Sequence, residues 1–252
     1  MNAQICKLLI VFQILLASEW QVLGKAQKDL GDRDYVAVMI SNSTPPYVFF
    51  EERNGIVIDV IDRAFSYAGV KTQFLYASNL RILKELNHRS IDAAFASPGD
   101  ASTHKSDPVI HYRNVVVTKS SFIRDIKKME DLSTINLAAF QNASRFHKGL
   151  ADAIAKNPGY FEVTNQKTQV PLLMAGRVEA ILLEEKIFHY YRIQSAFDEK
   201  HFKVHFLFDK APRFLYFVDE KLRDSFNQGL KKLRETGEIP KIVSQYLKKY
   251  QL

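Results

Sequence analysis

An acidic residue lies at the end of one predicted strand, where it could bind a cation. Glu184 directly follows the apolar run AILL at residues 180–183, which is typical of a buried strand. A carboxylate in such a place can form strong charge-assisted hydrogen bonds to an ammonium or guanidinium group. The alternative is a solvated surface acid, because Glu185 and Lys186 come next in the sequence.

A second group of polar residues lies in the loop after another predicted strand. A strand is predicted at 137–140 and a helix at 144–155. The loop between them contains Asn142 and Ala143, and Ser144 is the first residue of the predicted helix. The N-terminus of a helix attracts anions through its unpaired N–H groups. Asn and Ser are also common N-cap residues. The loop therefore predicts an anion contact, a helix cap, or both.

The sequence lacks the common motifs of catalysis and cofactor binding. It contains no nucleophile elbow, phosphate-binding loop or dinucleotide fingerprint. The single cysteine, Cys6, precedes the predicted mature chain, so disulfides, zinc–thiolate sites and thiol catalysis are not expected there. We expect no cofactor and no metal, and a protein that is not an enzyme.

The N-terminus has the features of a signal peptide. Lys7 precedes the apolar run at residues 8–17, and small residues follow at Gly24 and Ala26. The run is shorter than the roughly 20 residues that a membrane helix needs, and its length suits a signal-peptide core. We expect residues 1–26 to be a cleavable signal peptide and the mature chain to be periplasmic. The alternative is an uncleaved N-terminal anchor.

The basic charge does not indicate nucleic-acid binding. The formal net charge is +7, but the basic residues are scattered and mixed with acidic ones. A nucleic-acid site would concentrate basic residues on one face, often with interleaved aromatic side chains. We expect a solvated basic surface and no nucleic-acid partner.

Predicted strands and helices alternate in two blocks. The first hundred residues read strand, helix, strand, helix and strand, and a second block follows the β-branched run at 114–118. This pattern predicts an α/β fold with two lobes, each a mixed, mostly parallel sheet flanked by helices. Because open α/β sheets bind ligands beyond the carboxyl ends of their strands, we expect the ligand in a cleft between the lobes.

Several segments, taken in order, resemble the family 3 extracellular solute-binding proteins, in particular the receptors for polar amino acids. The resemblance runs from about Tyr35 to Tyr250 and depends on the segments PPY before a glycine-containing turn, IDAAF followed by SDP, MEDL followed by FQNAS, AGRVEAILLEE, and the terminal helix pair. It implies a two-lobed, type II periplasmic-binding-protein fold that closes on its ligand by a hinge motion. Lobe 1 would comprise residues 34–118 and 210–252, and lobe 2 residues 119–209.

The resemblance assigns roles in the second lobe. Glu184 matches an acidic residue that receives the ligand's ammonium group. Asn142, Ala143 and Ser144 match the loop that holds the ligand's carboxylate.

The resemblance also assigns roles in the first lobe, where the sequence departs from the family pattern. Tyr47 matches an aromatic residue that packs on the ligand, although it could instead pack in a core beside Phe49. Ser97 matches a residue that offers polar groups to the ligand, although it could belong to an ordinary turn. His104 occupies the place of an arginine that grips the carboxylate, and no arginine occurs in this segment. The chain therefore resembles a divergent member, whose ligand need not be an α-amino acid.

The function that the resemblance implies is capture of a small polar, amino-acid-like or cationic solute. The protein would act as a monomer and deliver the solute to a membrane permease of an ABC transporter. One alternative is a periplasmic sensor that signals to a membrane partner. A less favoured alternative is a dehydratase of prephenate-like acids, with Glu184 and His104 as its acid–base pair.

Overall fold

The computed structural model describes residues 34–41, 44–95 and 103–252. The predicted signal peptide, residues 1–26, and Ser97 lie outside the described residues. Among the residues that are described, no helix is both long and apolar enough to cross a membrane.

Helices and strands alternate along most of the described chain. The α-helices, in chain order, are α1 (Ile56–Tyr67), α2 (Asn79–Asn87), α3 (Ala143–Phe146), α4 (Lys148–Ile154), α5 (Gln169–Met174), α6 (Glu185–Gln194), α7 (Glu220–Glu235) and α8 (Glu238–Lys249). The strands are β1 (Tyr35–Ser41), β2 (Lys71–Ala77), β3 (Ala93–Phe95), β4 (His104–Lys105), β5 (Ile110–Tyr112), β6 (Asn114–Lys119), β7 (Leu137–Phe140), β8 (Tyr160–Val163), β9 (Ala180–Glu184), β10 (Phe202–His205), β11 (Ala211–Arg213) and β12 (Tyr216–Phe217). The chain is divided into two compact α/β units. The predicted fold class, two units of helices and mixed sheets, is confirmed.

Of the described residues, the first unit contains those up to Ile110 and Arg213–Tyr246. Its sheet has five strands in the order β2-β1-β3-β12-β4. Strand β1 is parallel to β2 and β3, whereas β12 is antiparallel to both of its neighbours. Helix α1 buries a stripe of Ile, Val, Ala and Phe side chains and packs on α7. This packing holds the C-terminal part of the chain on the unit formed by its N-terminal part.

The loop before α1 is held by Gly55 and Tyr246. The φ angle of Gly55 is 144°, and a Cβ atom there would lie 2.2 Å from the carbonyl oxygen of Tyr47. Only glycine fits this backbone without a clash. The backbone N–H of Gly55 donates to the Tyr246 hydroxyl at 2.9 Å, and that hydroxyl donates to Asp59 Oδ2 at 2.8 Å. Helix α8 thereby fixes the start of α1.

The second unit contains His111–Pro212 and Leu247–Leu252. Its five-stranded sheet has the order β10-β6-β9-β7-β8. Strand β7 is parallel to β8 and β9, and β6 is antiparallel to β9 and β10. A core beside this sheet includes Leu137, Leu182, Leu132 and Leu150, all with no exposed surface. The sheet is therefore the framework that positions the loops after β7 and β9.

The boundaries of the units differ from those predicted. The sequence-based division placed the strand at 114–118 in lobe 1, but β6 pairs with β9 and β10 in the second unit. The structure changes unit after Ile110 and again after Pro212, and Leu247–Leu252 group with the second unit. A β-branched run predicts a strand but not its partners, because pairing depends on contacts distant in sequence.

One predicted helix is interrupted. The pattern at 144–155 predicts a single helix, whereas α3 and α4 are separated at His147, whose backbone is extended with φ −127° and ψ 95°. The imidazole lies 4.3 Å from the Phe208 ring, centroid to centroid, and its Nε2 is 2.7 Å from Asn114 Nδ2. These tertiary contacts accompany the break, which lies two residues before Gly149.

Candidate functional site

The carboxyl edge of the second sheet brings together the predicted residues of this unit. Strands β7, β8 and β9 run in parallel, so their carboxyl ends lie at one edge. Glu184 is the last residue of β9, and residues 142–144 follow β7. In open α/β sheets this edge is the usual place for a ligand. The two groups that the sequence singled out in this unit therefore share one edge of its sheet.

Glu184 is a buried carboxylate that caps a helix. Its exposed fraction is 3%. Its Oε2 accepts hydrogen bonds from the backbone N–H groups of Lys186 at 2.7 Å and Ile187 at 3.1 Å, at the start of α6. Its Oε1 lies 3.4 Å from the backbone nitrogen of Arg113. The alternative of a solvated surface acid is therefore wrong, and the carboxylate is held in one orientation at the strand end.

The next residue, Glu185, forms an ion pair with Arg113. Arg113 Nη2 lies 2.7 Å from Glu185 Oε1, and Nε lies 3.0 Å from Oε2. Burial raises the pKa of Glu185, but the hydrogen bond and charge of Arg113, together with the charges of Lys186 and His189, bring that pKa below its usual value. The guanidinium carbon of Arg113 also lies 4.3 Å from the centroid of the Phe206 ring. Arg113 is thus engaged by an acid of its own unit.

The loop after β7 binds a carboxylate that belongs to the chain itself. The backbone N–H groups of Asn142 and Ser144 donate to Glu162 on β8, at 2.6 Å and 3.1 Å. The Ser144 hydroxyl donates to the same carboxylate at 2.8 Å. Asn142 holds the N-cap position of α3 without a side-chain cap hydrogen bond, and Ala143 is fully buried. The N–H groups of this loop therefore do bind an anion, as its position before a helix suggested. That anion is the carboxylate of Glu162.

Asn114 and His147 lie on the same side of the unit. Asn114 is the register partner of Glu184 across β6 and β9, and its amide contacts His147. Two phenylalanines of this unit, Phe146 and Phe206, are 41% and 58% exposed. The carboxyl edge therefore combines fixed carboxylates with amide, imidazole and aromatic groups.

The first unit offers less support for its predicted residues. Tyr47 has no exposed surface and is among the largest fully buried side chains. His104 lies on β4 and pairs with Phe217 on β12. Phe217 pairs on its other side with Ala93, the first residue of β3. His104 is therefore beside the amino end of β3 and not beyond its carboxyl end, where a ligand is expected. Ser97 lies outside the described residues, so its role stays a prediction.

Sequence reasoning missed Glu162, the residue that most changes the interpretation of the loop. The only local signal is an acidic side chain within a short strand, in the run YFEV. The Arg113–Glu185 pair was also missed, because these residues are far apart in sequence. Within the described part of the chain, no group of three or more His, Cys, Asp or Glu side chains could hold a metal ion.

Solved structures share the fold of this chain. A mutant of ArgBP from T. maritima is 16% identical with a TM-score of 0.71, over 88% of this chain and 99% of that chain. An ancestral arginine-binding protein bound to arginine is 22% identical with a TM-score of 0.69, over 85% and 98%. The amino acid ABC transporter substrate-binding protein AbpA from Streptococcus pneumoniae, bound to L-arginine, is 16% identical with a TM-score of 0.67, over 85% and 95%.

The comparison with curated protein sequences gives no match. The comparison with protein families matches residues 36–249 to the bacterial extracellular solute-binding proteins, family 3. The match spans most of the chain and agrees with the fold of both units. The protein therefore belongs to the family 3 bacterial extracellular solute-binding proteins.

Proposed function

We propose that this solute-binding protein captures a small cationic solute and that Glu184 receives the positive charge of that solute. The observation that carries the proposal is the geometry of Glu184. Its carboxylate is buried at the carboxyl end of β9 and is held by backbone N–H groups. Such a group is preorganised, so little conformational entropy is lost when a cation binds to it.

The similar structures support a ligand of this class. Two of them are bound to arginine, whose guanidinium group suits a carboxylate partner. These structures are under 25% identical to this chain, so they support the class of ligand by analogy of fold.

The proposal includes the path of the solute. Members of this family deliver their solute to the permease of an ABC transporter, and we propose that this chain does so as a monomer in the periplasm, without turning the solute over. Removal of residues 1–26 as a signal peptide belongs to the same proposal. N-terminal sequencing of the protein from the cell envelope tests it: a mature chain that retains Met1 would contradict cleavage.

The binding proposal is tested with two variants of Glu184. A thermal-shift screen of the mature protein against amino acids, amines, organic acids and short peptides first finds a ligand, because binding raises the melting temperature by mass action. Glu184→Gln keeps an oxygen that can cap α6 but removes the charge, whereas Glu184→Ala removes both. We expect Glu184→Gln to weaken binding of a cationic hit by about 10- to 100-fold, the range for loss of a charge-assisted hydrogen bond.

The matched control is Glu179, at the amino end of β9, the strand that ends at Glu184. Glu179 directly precedes β9, and its carboxylate accepts a backbone N–H from Asn136 at 2.9 Å and pairs with Arg124 at 2.7 Å. Glu179→Gln removes a comparable charge from the same unit and should leave affinity unchanged. A cationic hit that binds Glu184→Gln as tightly as the wild type would refute the assignment.

A further inference from the structure

Glu162 has its carboxylate surrounded by donors from its own chain. Oε2 accepts the backbone N–H of Asn142 at 2.6 Å. Oε1 accepts the backbone N–H of Ser144 at 3.1 Å, the Ser144 hydroxyl at 2.8 Å and the Tyr160 hydroxyl at 2.7 Å. An ionised carboxylate has about four lone-pair sites. Four donors therefore converge on this carboxylate, three on Oε1 and one on Oε2.

The loop has the backbone shape of an anion-binding nest. Asn142 adopts the left-handed conformation with φ 65° and ψ 19°, which Asn tolerates better than most residues. A left-handed residue followed by helical ones turns successive N–H groups toward one point and forms a concavity for an anion. In this protein the Glu162 carboxylate fills that concavity.

The environment of Glu162 favours its ionised form. Burial raises its pKa, but the hydrogen bonds from Tyr160, Ser144 and Asn142 outweigh burial and bring the pKa below its usual value. Burial and the adjacent carboxylate raise the pKa of Tyr160, which keeps its hydroxyl a donor. A carboxylate of a solute would therefore have to displace Glu162 from this loop or lie against its negative charge.

Glu162 and Glu184 lie on one face of the same sheet. Ala139 pairs with Glu162 on one side and with Leu182 on the other, which sets these three residues in one row. Glu184 comes two residues after Leu182, so strand alternation places it on the same face. The strands that carry the two glutamates are separated by β7, a spacing of about 10 Å. Two fixed negative charges thus lie toward this edge.

We propose that Glu162 determines specificity by acting as a built-in anion, so that the protein selects a cation that presents no carboxylate to the 142–144 loop. The inference rests on the proposed function of Glu184 and deepens it. It predicts that the solute resembles an amine or a guanidine more than a complete α-amino acid. It also explains why residues 142–144 can have the geometry of an anion site in a protein whose solute brings no anion to them.

The test uses two probes that differ by a single carboxylate, L-arginine and its decarboxylated counterpart agmatine. Calorimetric titration of the mature wild-type protein should give at least about tenfold tighter binding of agmatine, since like charges brought together oppose association. Glu162→Ala empties the nest and should improve L-arginine binding by about tenfold while changing agmatine binding much less. Wild-type protein that binds L-arginine as tightly as agmatine would overturn the proposal.

Two further variants keep the test decisive. If Glu162→Ala does not fold, Glu162→Gln has nearly the same volume but no charge, and the ratio of the two affinities should shift in the same direction. Glu179→Gln is the control, a glutamate of the same unit that also accepts a backbone N–H. An affinity ratio that moves equally in the Glu162 and Glu179 variants would reject a specific role for Glu162.

A readout that needs no ligand separates this proposal from the proposed function. Hydrogen exchange of the Asn142 and Ser144 amides should be slow in the wild-type protein and markedly faster in Glu162→Ala. If neither probe binds the wild type, the assignment of a guanidine-type cation to Glu184 fails, and amide exchange still decides whether Glu162 occupies the loop. Equal exchange in both proteins would overturn the inference.

Discussion

Helices α1 and α7 come into direct backbone contact at Gly229. A Cβ atom at this position would lie 1.9 Å from the carbonyl oxygen of Ala64 and 2.8 Å from its carbonyl carbon. The contact is with backbone, so no side-chain rotation can relieve it. Beside it, the ring of Phe226 packs on Phe65 and Phe217 with centroid distances of 5.0 Å and 5.4 Å. Gly229→Ala must therefore push the helices apart and loosen this aromatic cluster.

The size of the effect follows from two opposing terms. Overpacking a well-packed contact typically costs about 1–3 kcal/mol and occasionally more. Replacing Gly by Ala inside a helix contributes about 1 kcal/mol in the stabilising direction. Because the clash is far inside van der Waals contact, we expect the upper part of the first range. The net prediction is a loss of about 1–2 kcal/mol in the free energy of unfolding of the first unit.

Urea unfolding of the mature protein, followed by far-UV circular dichroism, measures this loss as a lower midpoint. Gly149→Ala is the matched control, because Gly149 lies in α4 and a Cβ there would meet only Met129 Cγ at an ordinary 3.7 Å. Gly149→Ala also replaces a helical glycine, in the first turn of α4, and introduces no clash, so its midpoint should be unchanged or higher. If the two variants unfold at the same urea concentration, the close approach of α1 and α7 is not a tight contact.

Two further predictions concern stability. Burial lowers the pKa of His205 in the folded protein below its usual value of about 6.5. As the pH falls, the unfolded chain therefore binds a proton at this histidine before the folded protein does. The free energy of unfolding should decrease as the pH drops below about 6.5, until the pH reaches the pKa of His205 in the folded protein. Urea midpoints at pH 7.5 and pH 5 should therefore differ more in the wild type than in His205→Gln; equal differences would contradict the assignment. Tyr246→Phe keeps the ring but removes both hydrogen bonds of the hydroxyl, to Gly55 and Asp59, and should cost about 1–3 kcal/mol. A melting temperature identical to that of the wild type would show that these bonds contribute nothing.

The local elements could be predicted from the sequence because they depend on short-range patterns. The helical spacing of apolar residues at 56–68 predicts α1 within one residue of its end, and the apolar run at 180–183 predicts β9 with the same accuracy. Both signals arise from burial of one helix face or one short strand, which the order of nearby residues determines. The position of Glu184 at a strand end followed directly from this.

The pairings between elements could not be predicted in this way. Strand β6 could have joined either sheet, because its β-branched run fits any buried strand. His147 interrupts a helical pattern at the point where its ring contacts Asn114 and Phe208, which are distant in the sequence. No local pattern contains these partners.

The sequence by itself determined that the chain is an α/β protein with a carboxylate at the end of one strand and an anion-attracting loop at the end of another. Only the tertiary structure decided what those groups bind. It buried Glu184 as the cap of α6, and it placed Glu162 of β8 in the loop formed by residues 142–144. The physical reason is that the type of a residue limits which hydrogen bonds it can make, whereas the register of neighbouring strands determines which partner lies within reach.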